Sequence, residues 1–174
     1  MPEEGPRSLL ITGAVGVGKT TTMEASAALL AERDVPGAMV DIDAIRRAWP
    51  APATDRFHEG LQLANLRAMC RNFRAAGAEV GLAAGTIADR AARARFEEAM
   101  GAPLRVVRLV APDDVVRERI RRRHADDPGG RDWHLARYDV LTAILDAAQV
   151  EDVQVTVQGA PRDTAREVLS AAGL

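Results

Sequence analysis

The stretch LLITGAVGVGKTTTMEASAALLAE, Leu9–Glu32, decides the fold. It opens on an apolar run that ends in glycine, the mark of a short buried strand. From Lys19 onward the spacing is helical. Between the two lies Gly13-Ala14-Val15-Gly16-Val17-Gly18-Lys19-Thr20, which fits G-x-x-x-x-G-K-[ST] in the strand–loop–helix setting this pattern requires. Lys19 is the only lysine of the chain, and every other basic residue among the 23 is arginine. The one ammonium group occupies the slot where the pattern demands it.

Such a loop has a specific physics. Its glycines let the backbone turn tightly enough for successive N–H groups to converge on an anion. A helix opening at Lys19 adds the positive end of its dipole. The ammonium then reaches the β- and γ-phosphates of ATP, and the Thr20 hydroxyl is a ligand for Mg²⁺. The expected nucleotide contacts are Gly13, Val15, Gly16, Val17, Gly18, Lys19, Thr20 and Thr21. The bland alternative is a glycine-rich turn, but a chance match in a chain of this length is on the order of 1% or less at ordinary residue frequencies.

Working outward, the chain alternates. Ser8–Gly13, Ala38–Asp43, Ala78–Gly85, Leu104–Ala111 and Val153–Val157 read as strands. Lys19–Arg33, His58–Gly77, Ile87–Met100, Asp113–His124, Arg131–Ala148 and Pro161–Gly173 read as helices, with Trp49–Phe57 an irregular proline-rich loop and Ala125–Gly130 a turn. Five strands alternating with helices predict an α/β fold with a parallel sheet covered on both faces, in the order 2-3-1-4-5. No repeat or low-complexity linker divides residues 1–174, so one domain is expected.

Composition narrows the function. A net charge of −2 gives no reason to expect a nucleic-acid partner. Cys70 is the single cysteine, which leaves no intrachain disulfide and suits packing in a helix. No run approaches the apolar length of a membrane span, and MPEEGPRS has no apolar segment of the signal-peptide kind. A cytoplasmic protein is the simplest expectation, as monomer or homodimer. His58, His124 and His134 lack zinc-ligand spacing.

A second element is VDIDAIRRAW, in which Asp41 and Asp43 lie two apart at the end of a strand. That spacing points both carboxylates to one side if the strand persists, at the end of a parallel sheet where ligands bind. One can hold Mg²⁺ together with Thr20, and the other can take a proton from an attacking hydroxyl. The competing reading makes Asp43 a helix cap.

This arrangement resembles the small P-loop kinases: shikimate kinase, gluconate kinase, adenylylsulfate kinase and chloramphenicol phosphotransferase. The resemblance spans nearly the whole chain, although only the loop motif is highly specific. It implies transfer of the ATP γ-phosphoryl group to a hydroxyl of a small molecule, with Asp43 as base or hydroxyl anchor. Arg46 and Arg47 become candidates for holding a polar or anionic acceptor. One departure stands out. AEVGLAAGTIADR lacks the aspartate that many P-loop enzymes carry after the third strand, its nearest acid being Asp89 at the turn into the next helix. Gluconate and adenylylsulfate kinases share that lack.

The resemblance also implies a lid, at about 113–137, where RERIRRRHADDPGGRDWHLAR follows the fourth strand. Arg119 and Arg123 share a helix face and are the candidates to clamp the transferring phosphoryl group, with Arg122 beside them. Gly129 and Gly130 would let the segment move. The alternative is a solvated, salt-bridged helix. Trp133 and His134 are read either as lid contacts or as packing, and Arg90 and Arg93 either as pocket residues or as a solvated face. Gly159–Arg162 falls where related kinases pass the adenine. Two rival functions use the same parts: a nucleoside or nucleotide kinase, which the scarcity of aromatics disfavours, and a non-catalytic ATP sensor.

Overall fold

The structure, a computed structural model, describes residues 7–174, so most of the acidic N-terminal stretch lies outside it. Strand β1 (Arg7–Thr12) is the middle of a five-stranded parallel sheet. Around it stand β2 (Gly37–Asp41), β3 (Val80–Ala84), β4 (Leu104–Val110) and β5 (Val153–Thr156), in the order β2-β3-β1-β4-β5. Ile11 pairs with Ala84 on one side and Val107 on the other, and Asp41 pairs with Ala84 across the next ladder. This register brings the carboxyl ends of β1, β2 and β3 to one edge.

The strand sequences account for the layers. Alternate residues face opposite sides, so Leu9 and Ile11 join one core while Leu10 joins the other. The first core packs α1 (Lys19–Ala31) and α6 (Pro161–Ala172) through Leu29, Leu30, Val168 and Leu169. The second packs α2 (Glu59–Ala75) and α3 (Arg90–Met100) through Leu66, Phe96 and Met100. Each fully buried side chain of this size contributes roughly 1.5–3 kcal/mol. A smaller cluster of Ala14, Val116, Ile120, Tyr138 and Leu141 joins the glycine-rich loop to α4 (Asp113–Arg123) and α5 (Pro128–Ala148). Cys70 is buried in the second core, as its helical setting suggested.

Three expectations need correction. Residues 87–89 precede α3 rather than belonging to it: the buried Ile87 N–H donates to Thr12 Oγ1 (3.3 Å), and Asp89 caps the helix by accepting from Ala92 N (2.7 Å). Pro128, Gly129 and Gly130 form the first turn of α5 rather than a hinge. Proline suits the N1 position, and the Asp127 carboxylate accepts from Gly130 N (2.9 Å). Arg93 is no pocket residue: it donates to the carbonyls of Val150 (2.5 Å) and Leu104 (3.4 Å) and pairs with Asp152 (2.9 Å), tying α3 to the approach to β5.

Candidate active site

The loop between β1 and α1 has the backbone its glycines permit. Gly13, Gly16 and Gly18 adopt φ values of 148°, 81° and 106°. Space matters as well as torsion. A Cβ on Gly13 would lie 2.8 Å from Val17 Cγ1, and one on Gly16 would lie 2.9 Å from Ile120 Cγ1. Thr86 Oγ1 donates to Gly13 O (3.2 Å) and fastens the start of the loop to the end of β3. Lys19 Nζ folds back to donate to Ala14 O (3.0 Å).

Burial lowers the Lys19 pKa to about 8; the charges of Asp43 and then Asp41 oppose that fall, and Arg123 adds to it. These four expected site residues therefore share one electrostatic field. Thr20 Oγ1 donates to Asp41 Oδ2 (3.3 Å). The other Asp41 oxygen accepts from the N–H groups of Asp43 (3.0 Å) and Ala44 (3.3 Å). Asp41, not Asp43, thus secures the turn that follows β2. Asp43 is left free to pair with Arg46 Nη2 at 2.5 Å.

Two side chains that the sequence reading passed over hold this turn. Gln62 Nε2, buried on α2, donates to Ile42 O (2.7 Å), and Asn65 Nδ2 donates to Ile45 O (2.6 Å). Polar residues on an amphipathic helix read as its solvent face, so no sequence signal marks them. The missing acid after β3 also has a local explanation. A Cβ on Gly85 would lie 1.9 Å from Cγ1 of the fully buried Ile42. No side chain fits there while Ile42 keeps its place.

A cavity of about 410 Å³ opens beside the loop. Its walls include Val15, Gly16, Val17, Gly18 and Thr21 on one side and Arg119, Arg122 and Arg123 on the other. Val157, Gly159 and Pro161 from the β5–α6 connection also line it, in the region expected near the adenine. Arg119 donates to Val17 O (3.3 Å), while the exposed Arg122 is paired with Glu118 (2.9 Å). His124 and His134 stack with centroids 4.1 Å apart where α4 gives way to α5, and both border the cavity. Arg47 is exposed, one residue beyond the Asp43–Arg46 pair.

No helix among the described residues is long and apolar enough to cross a membrane. No curated protein matches the chain. Solved structures do. A gluconokinase from Sinorhizobium meliloti 1021 is 20% identical with a TM-score of 0.62, over 97% of this chain and 92% of that one. The tunicamycin resistance protein of Deinococcus radiodurans is 20% identical with a TM-score of 0.63, over 97% and 96%. Shikimate kinase from Acinetobacter baumannii, in complex with shikimate, is 24% identical with a TM-score of 0.59, over 97% and 93%. The likeness establishes the shared P-loop kinase fold. A family model described as an AAA domain matches residues 9–148, from β1 through the end of α5, and the chain belongs to that AAA domain family.

Proposed function

We propose that the protein transfers the γ-phosphoryl group of ATP to a hydroxyl of a small molecule. The observation that carries this reading is the convergence of Lys19, Asp41, Asp43 and Arg123 in one field beside a cavity walled by the glycine-rich loop. The loop amides, Lys19 and the arginines of α4 bind and orient the phosphates. The acceptor oxygen attacks the γ-phosphorus, a P–O bond forms, and the bond to the β,γ-bridging oxygen breaks with its electron pair leaving on ADP. The acceptor proton passes to the Asp43 carboxylate. Catalysis of this kind is positioning and charge stabilisation.

The oxygens of Thr20 and Asp41 fit Mg²⁺. They face each other, and backbone N–H groups on the other Asp41 oxygen fix the carboxylate's orientation. When bound, the ion neutralises charge on the β- and γ-phosphates. We read the whole chain as one catalytic unit. Its lid, about 113–137, rests at its base on Val116 and Ile120, buried against the loop.

The test is ADP release with Mg·ATP across a panel of hydroxylated metabolites and antibiotics, with Lys19→Ala as the blank. Acceptor-dependent turnover, lost in the blank, is expected. Asp43→Asn should lower transfer by about 10²–10⁴-fold while Mg·ATP still binds. Unchanged turnover in Asp43→Asn refutes the base assignment. Tight nucleotide binding without transfer to any acceptor would support a sensor instead.

A further inference from the structure

Arg108 sits where an aliphatic residue would be ordinary. It lies on the inner strand β4, in register with Thr12 of β1, and alternation puts it on the same face as Leu104 and Val106. Its side chain is only 6% exposed. Asp146 and Glu151 each hold one terminal nitrogen, at 2.6 and 3.5 Å. The third nitrogen, Nε, is buried and has no hydrogen-bond partner among the described residues. A buried ion pair gives a core no advantage over well-packed apolar side chains, and an unmet buried N–H costs about 1–3 kcal/mol. Packing alone therefore does not account for an arginine here.

A separate cavity of about 170 Å³ adjoins Arg108. Ala14 and Val17 of the glycine-rich loop, Val116 of α4, and Tyr138 and Thr142 of α5 line it. Val17 also borders the larger cavity, so the loop is the partition between the two. Thr142 Oγ1 is a second buried polar atom without a hydrogen-bond partner among the described residues. Two unmet donors thus share one cavity with three aliphatic side chains.

Charge limits what can enter. An anion would add to two carboxylates set against one guanidinium, and a cation would compete with that guanidinium for both of them. A carbonyl oxygen has two lone pairs, one for the Arg108 Nε–H and one for the Thr142 hydroxyl. Ala14, Val17 and Val116 suit a hydrocarbon body. Water would meet the two donors but leave that apolar surface wet, and replacing poorly held water by an apolar group favours binding.

We infer that this cavity is a binding site for a small uncharged carbonyl compound, held by Arg108 and Thr142 and parted from the nucleotide site by the glycine-rich loop. The site stands whether or not the protein transfers phosphoryl groups.

Cyclopentanone, cyclopentanecarboxylate and cyclopentylammonium share one ring and differ in charge. Each is titrated into the ¹⁵N-labelled full chain, with and without saturating Mg·ADP. In both conditions cyclopentanone should shift the Ala14 and Val17 backbone amides saturably, with a Kd of about 1–10 mM, ordinary for six heavy atoms. The two ions should bind at least about tenfold more weakly. Thr142→Val removes one donor and should weaken cyclopentanone about fivefold, and Thr142→Leu fills the space and should abolish its binding. Amide spectra that match the wild type away from the cavity verify that both variants fold. A cavity that holds water only gives no saturable shift up to about 50 mM cyclopentanone, and that result overturns the inference. An ion that binds as tightly as the ketone overturns it too, as does unchanged affinity in either Thr142 variant. So does binding that Mg·ADP displaces, the mark of a ligand lodged in the nucleotide cavity.

Discussion

The Lys19 ammonium makes nucleotide binding a proton-linked event. In the free protein its pKa lies at about 8, lowered first by burial, which the charges of Asp43 and then Asp41 oppose and that of Arg123 reinforces. Phosphate oxygens would return it to at least the ordinary lysine value of about 10.4. With a free-state value of about 8, Lys19 is about 90% protonated at pH 7 and about 10% at pH 9, so binding at pH 9 must take up nearly a whole proton. The Mg·ADP affinity should then fall about tenfold from pH 7 to pH 9. A lysine of ordinary pKa would change it by only about 4%. Calorimetry at pH 9 in buffers of different ionisation enthalpy should show uptake of about 0.9 proton, against about 0.1 at pH 7. Lys19→Met should abolish the difference. Buffer-independent heats at pH 9, or the same tenfold fall in Lys19→Met, would refute the assignment. Stability of the free protein runs the other way. The unfolded chain holds this proton more tightly than the folded one, so stability should rise as pH climbs from about 8 toward about 10.4.

Other perturbations test the surrounding architecture. Arg108 is buried on β4 between Asp146 (2.6 Å) and the buried Glu151 (3.5 Å); Arg108→Met leaves Glu151 without its cation and should cost about 3 kcal/mol or more in urea denaturation, a loss that additional Glu151→Gln substitution partly restores. Gly85→Ala forces a methyl group into Ile42 and should destabilise by about 1–3 kcal/mol, read as a lowered Tm, with Ile42→Val relieving part of it. Arg46→Ala releases the Asp43 carboxylate from its ion pair. Its acceptor-independent ATP hydrolysis should rise several-fold by coupled-enzyme assay; an unchanged or lower rate would show that Arg46 does not restrain Asp43.

What could be read from the sequence was what depends on local pattern. The strand–loop–helix around Gly13–Thr20 and the continuous apolar run of Leu9, Leu10 and Ile11 determine the fold class, because each residue's role there follows from its neighbours. The Asp41–Asp43 pair was visible for the same reason. The bonds of Asp41 to Thr20 and to the following turn were not, since they appear only once β2 stands beside α1. The Pro128–Gly130 turn was misread because Pro-Gly-Gly is loop composition, and only the Asp127 cap shows it opening a helix. Arg93 looked like any arginine on a helix. Its three anchors lie 11 to 59 residues away and are joined to it by the fold. The Arg137 guanidinium lies 6.0 Å from the Phe57 ring centroid across 80 residues of sequence, nearly half of the chain, and nothing in either neighbourhood foretells it.

The seat of α4 on the glycine-rich loop has a mechanical meaning. Ile120 and Val116 rest against Gly16 with no gap a methyl group could fill, and Arg119 reaches back to the Val17 carbonyl. Packed interiors transmit displacement rather than absorb it. The loop therefore works as a cam and α4 as its follower: a shift of backbone at Gly16 is delivered to the helix that carries Arg119 and Arg123, with no slack and no detour through the sheet.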